Sequence, residues 1–142
     1  MTPPRFAFIK AKWHADIVDE ALHGFQEFIP NVDVFDVPGA FEMPLLAKRL
    51  APHYDAIACA ALVVDGGIYR HEFVANAVVK GLLDVGLQTD TPILSICLTP
   101  HHFQETAHHT AIYSDHFQIK GREAADAALA ITGVYQSLHA AA

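Results

Sequence analysis

The chain has 142 residues, of which 52% are hydrophobic and 18% charged, so it can bury a sizeable core and is neither disordered nor fibrous. Nine lysines and arginines face sixteen aspartates and glutamates, and the formal charge of −7 argues against nucleic acid or an anionic membrane as the main partner. Ten histidines outnumber the lysines and arginines together, so a site for an anionic substrate has few permanent cations to draw on.

The amino terminus and the cysteines favour a cytoplasmic protein. The sequence has no apolar signal core at its start and no stretch that approaches the ~20 apolar residues of a membrane span. Cys59 and Cys97 lie in apolar runs, so we expect two buried thiols rather than a disulfide. Because no linker or repeat divides the chain, we expect one domain over residues 1–142.

The first half of the chain alternates apolar runs with an amphipathic pattern. Residues 5–9 predict a strand, and residues 16–28 predict a helix because their apolar positions recur at spacings of three and four. Residues 32–37 predict a second strand, which Pro38 and Gly39 end. Residues 40–50 predict a short helix with Pro44 in its first turn.

The second half contains an almost unbroken apolar run over residues 55–64, which is typical of a central strand covered on both faces. Residues 71–87 then predict a helix and residues 92–98 a fourth strand. After these we predict a histidine-rich helix to about residue 110, an irregular piece, and a last helix over residues 121–138.

Strands that alternate with helices are typical of βαβ units with right-handed crossovers. The sequence therefore predicts the α/β class. We expect a single three-layer flavodoxin-like domain, with a four-stranded parallel sheet of order 2-1-3-4 and helices on both faces. In such sheets ligands bind at the carboxyl ends of the strands, here residues 10–13, 37–42, 64–71 and 98–102.

Two of these four windows hold residues with open interpretations. Trp13 either contacts the start of a helix or offers a flat face on which a ring can stack. Glu42 either accepts hydrogen bonds from ligand hydroxyls or is only a first-turn carboxylate favoured by the helix dipole.

The window over residues 65–72 is the densest in chemistry. Gly66 and Gly67 allow close backbone approach, and N–H groups at the following helix start can bind an anion. Arg70 can supply charge, and His71 can transfer protons near neutral pH. The glycines fit neither a dinucleotide fingerprint nor a P-loop, so the alternative is a structural loop with a surface Arg-His pair.

Five histidines follow the fourth predicted strand, and a metal site is one interpretation of them. Only Glu105 and Asp115 accompany them as carboxylates, and no cysteine does, so polar-surface or anion-binding histidines are favoured and we expect no metal. The histidines are His101, His102, His108, His109 and His116.

Four segments together resemble the 6,7-dimethyl-8-ribityllumazine synthase family, in its divergent second class. They are VPGAFEMP over 37–44, the glycine-containing loop after the third predicted strand, Lys80-Gly81 and Lys120-Gly121. The resemblance implies condensation of 5-amino-6-(D-ribitylamino)uracil with 3,4-dihydroxy-2-butanone 4-phosphate, the penultimate step of riboflavin biosynthesis. It also implies that no cofactor is needed, and that the sites lie between subunits of a pentamer.

The resemblance assigns roles to residues at three strand ends. It places Trp13 where the family has a ring-stacking aromatic. It places Ala40, Phe41 and Glu42 on the segment that binds the ribityl chain. It places Leu62, Val63 and Val64 on the strand end whose backbone contacts the pyrimidine edge.

The remaining assignments concern phosphate and proton transfer. The family loop reads Arg-Gly-Ala-Thr-x-His, whereas here Asp65 starts the loop, Gly66, Gly67 and Ile68 offer backbone donors, and Arg70 stands at the catalytic histidine position. We hypothesise that Arg70 and the Gly67 N–H bind phosphate, while His71 or His109 transfers protons. In the family, a neighbouring subunit supplies an aromatic residue that borders the ring and an arginine that binds phosphate. The resemblance aligns Ser95 with that aromatic and His109 with that arginine. Lys120 aligns with a lysine of the family.

Alternative functions are a weakly catalytic lumazine- or flavin-binding paralogue, a metal-binding or pH-sensing module, and a flavodoxin-type electron carrier. The last lacks a glycine in the loop after its first strand. We also expect a subunit interface from surplus apolar residues, namely Phe6, Phe8, Phe73, Val79 and Leu83. The segment over residues 111–117, which we expect to form a longer aromatic turn, favours a face-to-face pair of pentamers over a 60-subunit shell.

Overall fold

The computed structural model describes residues 2–64, 71–99 and 106–141, except for the side chain of His71. Within these ranges, four strands and four α-helices alternate, with short 3₁₀ turns at Ala40–Glu42 and Ala51–His53. The elements are β1 (Phe6–Ala11), α1 (Ala15–Gln26), β2 (Asp33–Val37), α2 (Met43–Leu50), β3 (Ala56–Leu62), α3 (His71–Thr89), β4 (Ile93–Leu98) and α4 (Ala107–Ala141). Pro44 lies in the first turn of α2, as predicted.

The four strands form one parallel sheet in the order β2-β1-β3-β4, which confirms the predicted α/β topology. Ile9 of β1 lies opposite Phe35 of β2 and Cys59 of β3. Since every strand runs in the same direction, all four carboxyl ends reach the same edge of the sheet.

The sheet is covered by helices on both faces, because β1 and β3 present apolar side chains in both directions. Phe8 points into a layer with Val18 of α1 and Phe117 of α4. Ile9 points into the opposite layer with Met43 of α2 and Leu82 of α3. Every residue of β3 is buried, which explains its unbroken apolar sequence.

Two residues expected at a subunit interface lie in the core instead. Phe6 and Phe8 are only 5% and 0% exposed, because even-numbered positions of β1 face α1 and α4 of the same chain. The prediction for these two residues was therefore wrong. Phe73, Val79 and Leu83 of α3 are exposed, as expected.

Both cysteines are free thiols, as predicted, and they lie on the sheet face that packs against α2 and α3, where Cys59 is buried and Cys97 partly buried. Cys59 lies opposite Ser95, and Cys97 lies two residues farther along β4. Burial raises the pKa of the Cys59 thiol well above its ordinary value. Burial also raises the pKa of Cys97 to about 11, although its hydrogen bond with Ser95 acts in the opposite direction. Both thiols therefore stay protonated at neutral pH.

Helix α4 is continuous from Ala107 to Ala141, so the predicted irregular piece and the predicted turn over residues 111–117 were wrong. The buried positions of α4 recur at helical spacing across the region where the sequence suggested a break. They are Phe117, Gly121, Ala124, Ala125, Ala128 and Thr132. Packing against α1 and the sheet therefore outweighs the low helix propensity of Gly121.

Helices α1 and α4 cross at contact distance through two glycines. A Cβ on Gly121 would lie 2.8 Å from the carbonyl carbon of Ala21, and a Cβ on Gly24 would lie 3.0 Å from the carbonyl carbon of Gln118. Beside this crossing, Arg122 Nη1 lies 2.7 Å from Glu27 Oε2. Across the described ranges, no helix is both long and apolar enough to pass through a membrane.

Candidate active site

The loops after β1 and β2 lie side by side at the carboxyl edge of the sheet. The Lys12 N–H donates a 2.8 Å hydrogen bond to the Val37 carbonyl, and the Trp13 N–H donates a 3.4 Å bond to the Pro38 carbonyl. The pairing of the two strands therefore continues past their ends. Two of the predicted windows are joined by this extension.

The indole of Trp13 lies directly on Gly39 and is 66% exposed. A Cβ on Gly39 would lie 2.7 Å from Cε3 and 3.1 Å from Cη2 of the ring, well inside van der Waals contact. The Gly39 backbone is extended, with φ −147° and ψ −178°, a conformation that any residue adopts. A side chain at position 39 would therefore displace the Trp13 ring from this position, although the backbone conformation itself admits any residue.

Glu42 closes the turn that follows Gly39. Its Oε1 accepts a 2.9 Å hydrogen bond from the Gly39 N–H, so one carboxylate oxygen holds the start of the 3₁₀ turn. A carboxylate has further lone pairs, so Glu42 retains acceptor capacity for a ligand. Of the two neighbours within the turn, Ala40 is buried and Phe41 is 49% exposed.

The carboxyl end of β3 is built into the core. Leu62 packs in the layer beneath α1 and α4, while Val63 packs in the layer beneath α2 and α3. The Val63 N–H donates a 2.8 Å hydrogen bond to the Leu98 carbonyl, so this donor is used inside the sheet. Val64 is partly buried against the first of these layers.

Lys10 is partly buried beside the Trp13 loop and lies between two carboxylates. Its Nζ lies 2.6 Å from Asp36 Oδ1 and 3.0 Å from Asp19 Oδ1, and its side chain is 15% exposed. Burial lowers the pKa of Lys10, but the hydrogen bonds and charges of Asp36 and Asp19 outweigh burial and raise that pKa above its ordinary value. Lys10 thus links β1, β2 and α1, and its charge is already compensated.

The sequence placed Lys10 in a strand-end window without a role. The signal that reveals the role is the strand register, since Lys10 lies opposite Asp36 in the β1–β2 pair. Gly39 was likewise part of a recognised segment, but its contact with Trp13 depends on how the two loops meet.

Several candidate residues lie outside the part of the chain that the structure describes. They are Gly66, Gly67, Ile68, Arg70, His101 and His102. His71 begins α3, but its side chain also lies outside the described part. Among the residues that are described, no group of three or more histidine, cysteine, aspartate or glutamate side chains could hold a metal ion.

His109 and Lys120 lie on the same continuous helix, eleven residues apart, which corresponds to about 16 Å along the axis. The His109 ring contacts Tyr113 edge-on, with 6.0 Å between ring centroids. Lys120 Nζ lies 3.0 Å from Glu123 Oε2. Eleven residues are close to three full turns, so His109 and Lys120 lie on nearly the same face of α4.

Ser95 is exposed in the middle of β4 rather than at the carboxyl edge. Its Oγ accepts a 3.3 Å hydrogen bond from the Cys97 N–H. Because β3 lies between β4 and β1, Ser95 does not join Trp13 and Glu42 within one chain.

An open groove of about 810 Å³ lies at the opposite edge of the sheet, near the amino ends of β3 and β4. Helices α3 and α4 form its walls, and its lining is largely apolar. The lining includes Tyr54, Leu83, Leu87, Pro92, Tyr135 and Leu138. Because the carboxyl ends of the strands lie at the other edge, this groove is separate from Trp13, Gly39 and Glu42.

The chain is similar to known proteins over almost its whole length. The family model described as 6,7-dimethyl-8-ribityllumazine synthase matches residues 3–136. A 6,7-dimethyl-8-ribityllumazine synthase of Rhodococcus erythropolis is 56% identical over 132 residues, which cover 87% of this chain and 85% of that protein. A 6,7-dimethyl-8-ribityllumazine synthase 2 of Bradyrhizobium diazoefficiens is 52% identical over 132 residues, which cover 88% of this chain and 80% of that protein.

Proposed function

This chain belongs to the 6,7-dimethyl-8-ribityllumazine synthase family, and we propose that it catalyses the family reaction at the carboxyl edge of its sheet. 5-Amino-6-(D-ribitylamino)uracil condenses with 3,4-dihydroxy-2-butanone 4-phosphate to give 6,7-dimethyl-8-ribityllumazine, phosphate and two waters. The product is the penultimate compound of riboflavin biosynthesis. The observation that carries the proposal is the family match over residues 3–136, within which Trp13 meets the turn over residues 39–42.

The position of Trp13 beside Glu42 suits a ligand that joins a flat ring to a polyol chain. The exposed indole offers a face for the pyrimidine ring, and Glu42, three residues after the glycine beneath that indole, can accept hydrogen bonds from ribityl hydroxyls. Ala40 and Phe41 complete the segment along which the ribityl chain lies. The backbone of Leu62, Val63 and Val64 then borders the pyrimidine edge.

The reaction needs a cation for phosphate and a group that moves protons. The uracil amine attacks the ketone and water leaves as an imine forms; phosphate then leaves by elimination, and ring closure releases the second water. Lys10 is neutralised by Asp19 and Asp36, so it is not the phosphate ligand. We assign phosphate binding to Arg70 and backbone N–H groups of Gly66, Gly67 and Ile68, and proton transfer to His71 or His109.

We expect Arg70→Ala to raise the KM for the butanone phosphate about 10- to 100-fold, because a charge-assisted contact is worth about 1.5–3 kcal/mol. The KM for the ribitylaminouracil should not change, and Arg70→Lys should give an intermediate value because it keeps charge without the guanidinium fork. Initial rates of lumazine formation by purified protein, with each substrate varied in turn, measure both constants.

His71→Ala serves as the companion variant, and we expect it to lower kcat rather than raise KM. An unchanged KM for the butanone phosphate in Arg70→Ala would reject the phosphate assignment. Wild-type protein that binds lumazine tightly but forms none would instead indicate a binding paralogue.

We further propose that the chain forms a pentamer or a face-to-face pair of pentamers, with each site completed by a neighbouring subunit. Phe73, Leu83 and Leu87 of α3 are each more than 60% exposed, an apolar surface that is unusual for a monomer. Because β3 separates Ser95 from Trp13 within one chain, we assign Ser95, together with His109, to the site of a neighbouring subunit, and Lys120 keeps the role of the family lysine.

Sedimentation equilibrium should therefore give five or ten times the 15.5 kDa mass of one chain. Leu83→Asp places a charge on the exposed face of α3 and should lower that mass, whereas Leu83→Met should preserve it. A wild-type mass that corresponds to one chain, or to about sixty chains, contradicts this assembly.

A further inference from the structure

Trp13, Gly39 and Glu42 form one connected unit. The three nearest atoms to a Cβ on Gly39 all belong to the Trp13 ring, while the Gly39 N–H donates to Glu42 Oε1 at 2.9 Å. Gly39 thus leaves room for the aromatic ring because it has no side chain, and it binds the carboxylate through its backbone N–H. An extended φ of −147° means that alanine would fit the backbone without strain, so its methyl group would act first on the nearby indole.

We propose that Gly39 is a positioning residue, which seats the Trp13 ring and the Glu42 carboxylate in a fixed relation before a ligand binds. The Trp13 N–H donates a 3.4 Å hydrogen bond to the carbonyl of Pro38, so the backbone of Trp13 is bound to the residue that precedes Gly39. The six-membered ring of the indole therefore rests on Gly39 at Cε3 and Cη2, while Trp13 stays 66% exposed and accessible to a ligand. The identity of the ligand rests on the proposed function, whereas the seating of the ring does not.

Fixing the two groups beforehand lowers the entropic cost of binding, since an exposed tryptophan otherwise samples several rotamers. A methyl group at position 39 would push the ring away from the turn. The ring of the ligand would then lose its stacking partner or draw its polyol chain away from Glu42. The effect of Gly39→Ala must therefore pass through Trp13, which makes it separable from a general loss of stability.

A double-mutant cycle with Gly39→Ala and Trp13→Ala tests this route. The probe is 6,7-dimethyl-8-ribityllumazine, and its Kd is measured by titration calorimetry. We expect Gly39→Ala to weaken binding about tenfold in the chain that has Trp13, and by less than about twofold in the Trp13→Ala background. Equal losses in both backgrounds would overturn the proposal, since Gly39 would then not act through the ring.

The ligand-free protein gives a second readout, because Trp13 is the one tryptophan of the chain and its fluorescence has a single source. Gly39→Ala should raise the acrylamide quenching constant, as the covered face of the indole becomes accessible. Gly39→Ala should also lower thermal stability only when Trp13 is present, and the double variant should recover it. Unchanged quenching overturns the seat itself, whereas wild-type protein that fails to bind the lumazine overturns the proposed function.

Discussion

The Gly121→Ala variant is expected to be about 3 kcal/mol less stable to unfolding than the wild-type chain. The added methyl group would lie 2.8 Å from the carbonyl carbon and 3.0 Å from the Cα of Ala21. Both are backbone atoms of α1, so no rotamer change relieves the overlap and the two helices must move apart. That movement would loosen the layer in which Val18 and Phe117 are buried.

Gly133→Ala is the matched control, because Gly133 lies on the same helix and, among the described residues, no atom outside the local helix backbone lies within 4 Å of its Cβ position. This variant should gain about 0.5–1 kcal/mol from the higher helix propensity of alanine. Chemical denaturation of both variants at one protein concentration measures the difference, since oligomerisation makes apparent stability depend on concentration. Equal stabilities of the two variants would mean that the helix crossing is not as close as described.

Glu42→Leu is expected to lower kcat/KM for lumazine formation about 1,000-fold, which corresponds to about 4 kcal/mol of lost charge-assisted hydrogen bonding. Leucine removes the acceptor for the ribityl hydroxyls. It also removes the acceptor of the Gly39 N–H, so the turn beneath Trp13 loses its 2.9 Å closing bond. The loss should fall on the ribitylaminouracil, and the KM for the butanone phosphate should stay near its wild-type value.

Glu42→Gln separates the two roles of this side chain. The amide oxygen can still accept from the Gly39 N–H, so acrylamide quenching of Trp13 should match the wild-type protein. Activity should fall only about tenfold, because neutral hydrogen bonds are weaker than charge-assisted ones. If Glu42→Leu keeps wild-type activity, Glu42 is only a turn carboxylate, the alternative that the sequence left open.

The sheet and its order were predictable because local chemistry and packing agree along β1 and β3. Unbroken apolar runs such as residues 56–62 are buried on both faces, and the helices between the strands supply the crossovers. The course of α4 was not predictable in the same way. Glycine at position 121 suggests a helix end, yet Gly121 lies inside α4. The residue is glycine because α1 approaches too closely there for any side chain.

The candidate site was predictable at the level of windows but not of contacts. Trp13 and the turn over residues 39–42 follow neighbouring strands, so parallel topology alone predicts that they meet at one edge. Two contacts could not be predicted, namely that of the indole with Gly39 and that of Lys10 with Asp36. They depend on the strand register and on how the loops meet, and a short stretch of sequence encodes neither. The roles of Arg70, His71, Ser95, His109 and Lys120 stay predictions, and the variants of Arg70 and His71 test the first two.

The protonated state of Cys59 and Cys97 has a practical consequence for labelling. The thiolate is the nucleophile that attacks maleimide and disulfide reagents, and burial raises the pKa of both native thiols, that of Cys97 to about 11. A cysteine introduced at an exposed position such as Lys48 should therefore be the preferred site of modification, without removal of the native pair. Fluorophores placed in this way can test the proposed assembly in an otherwise unaltered chain.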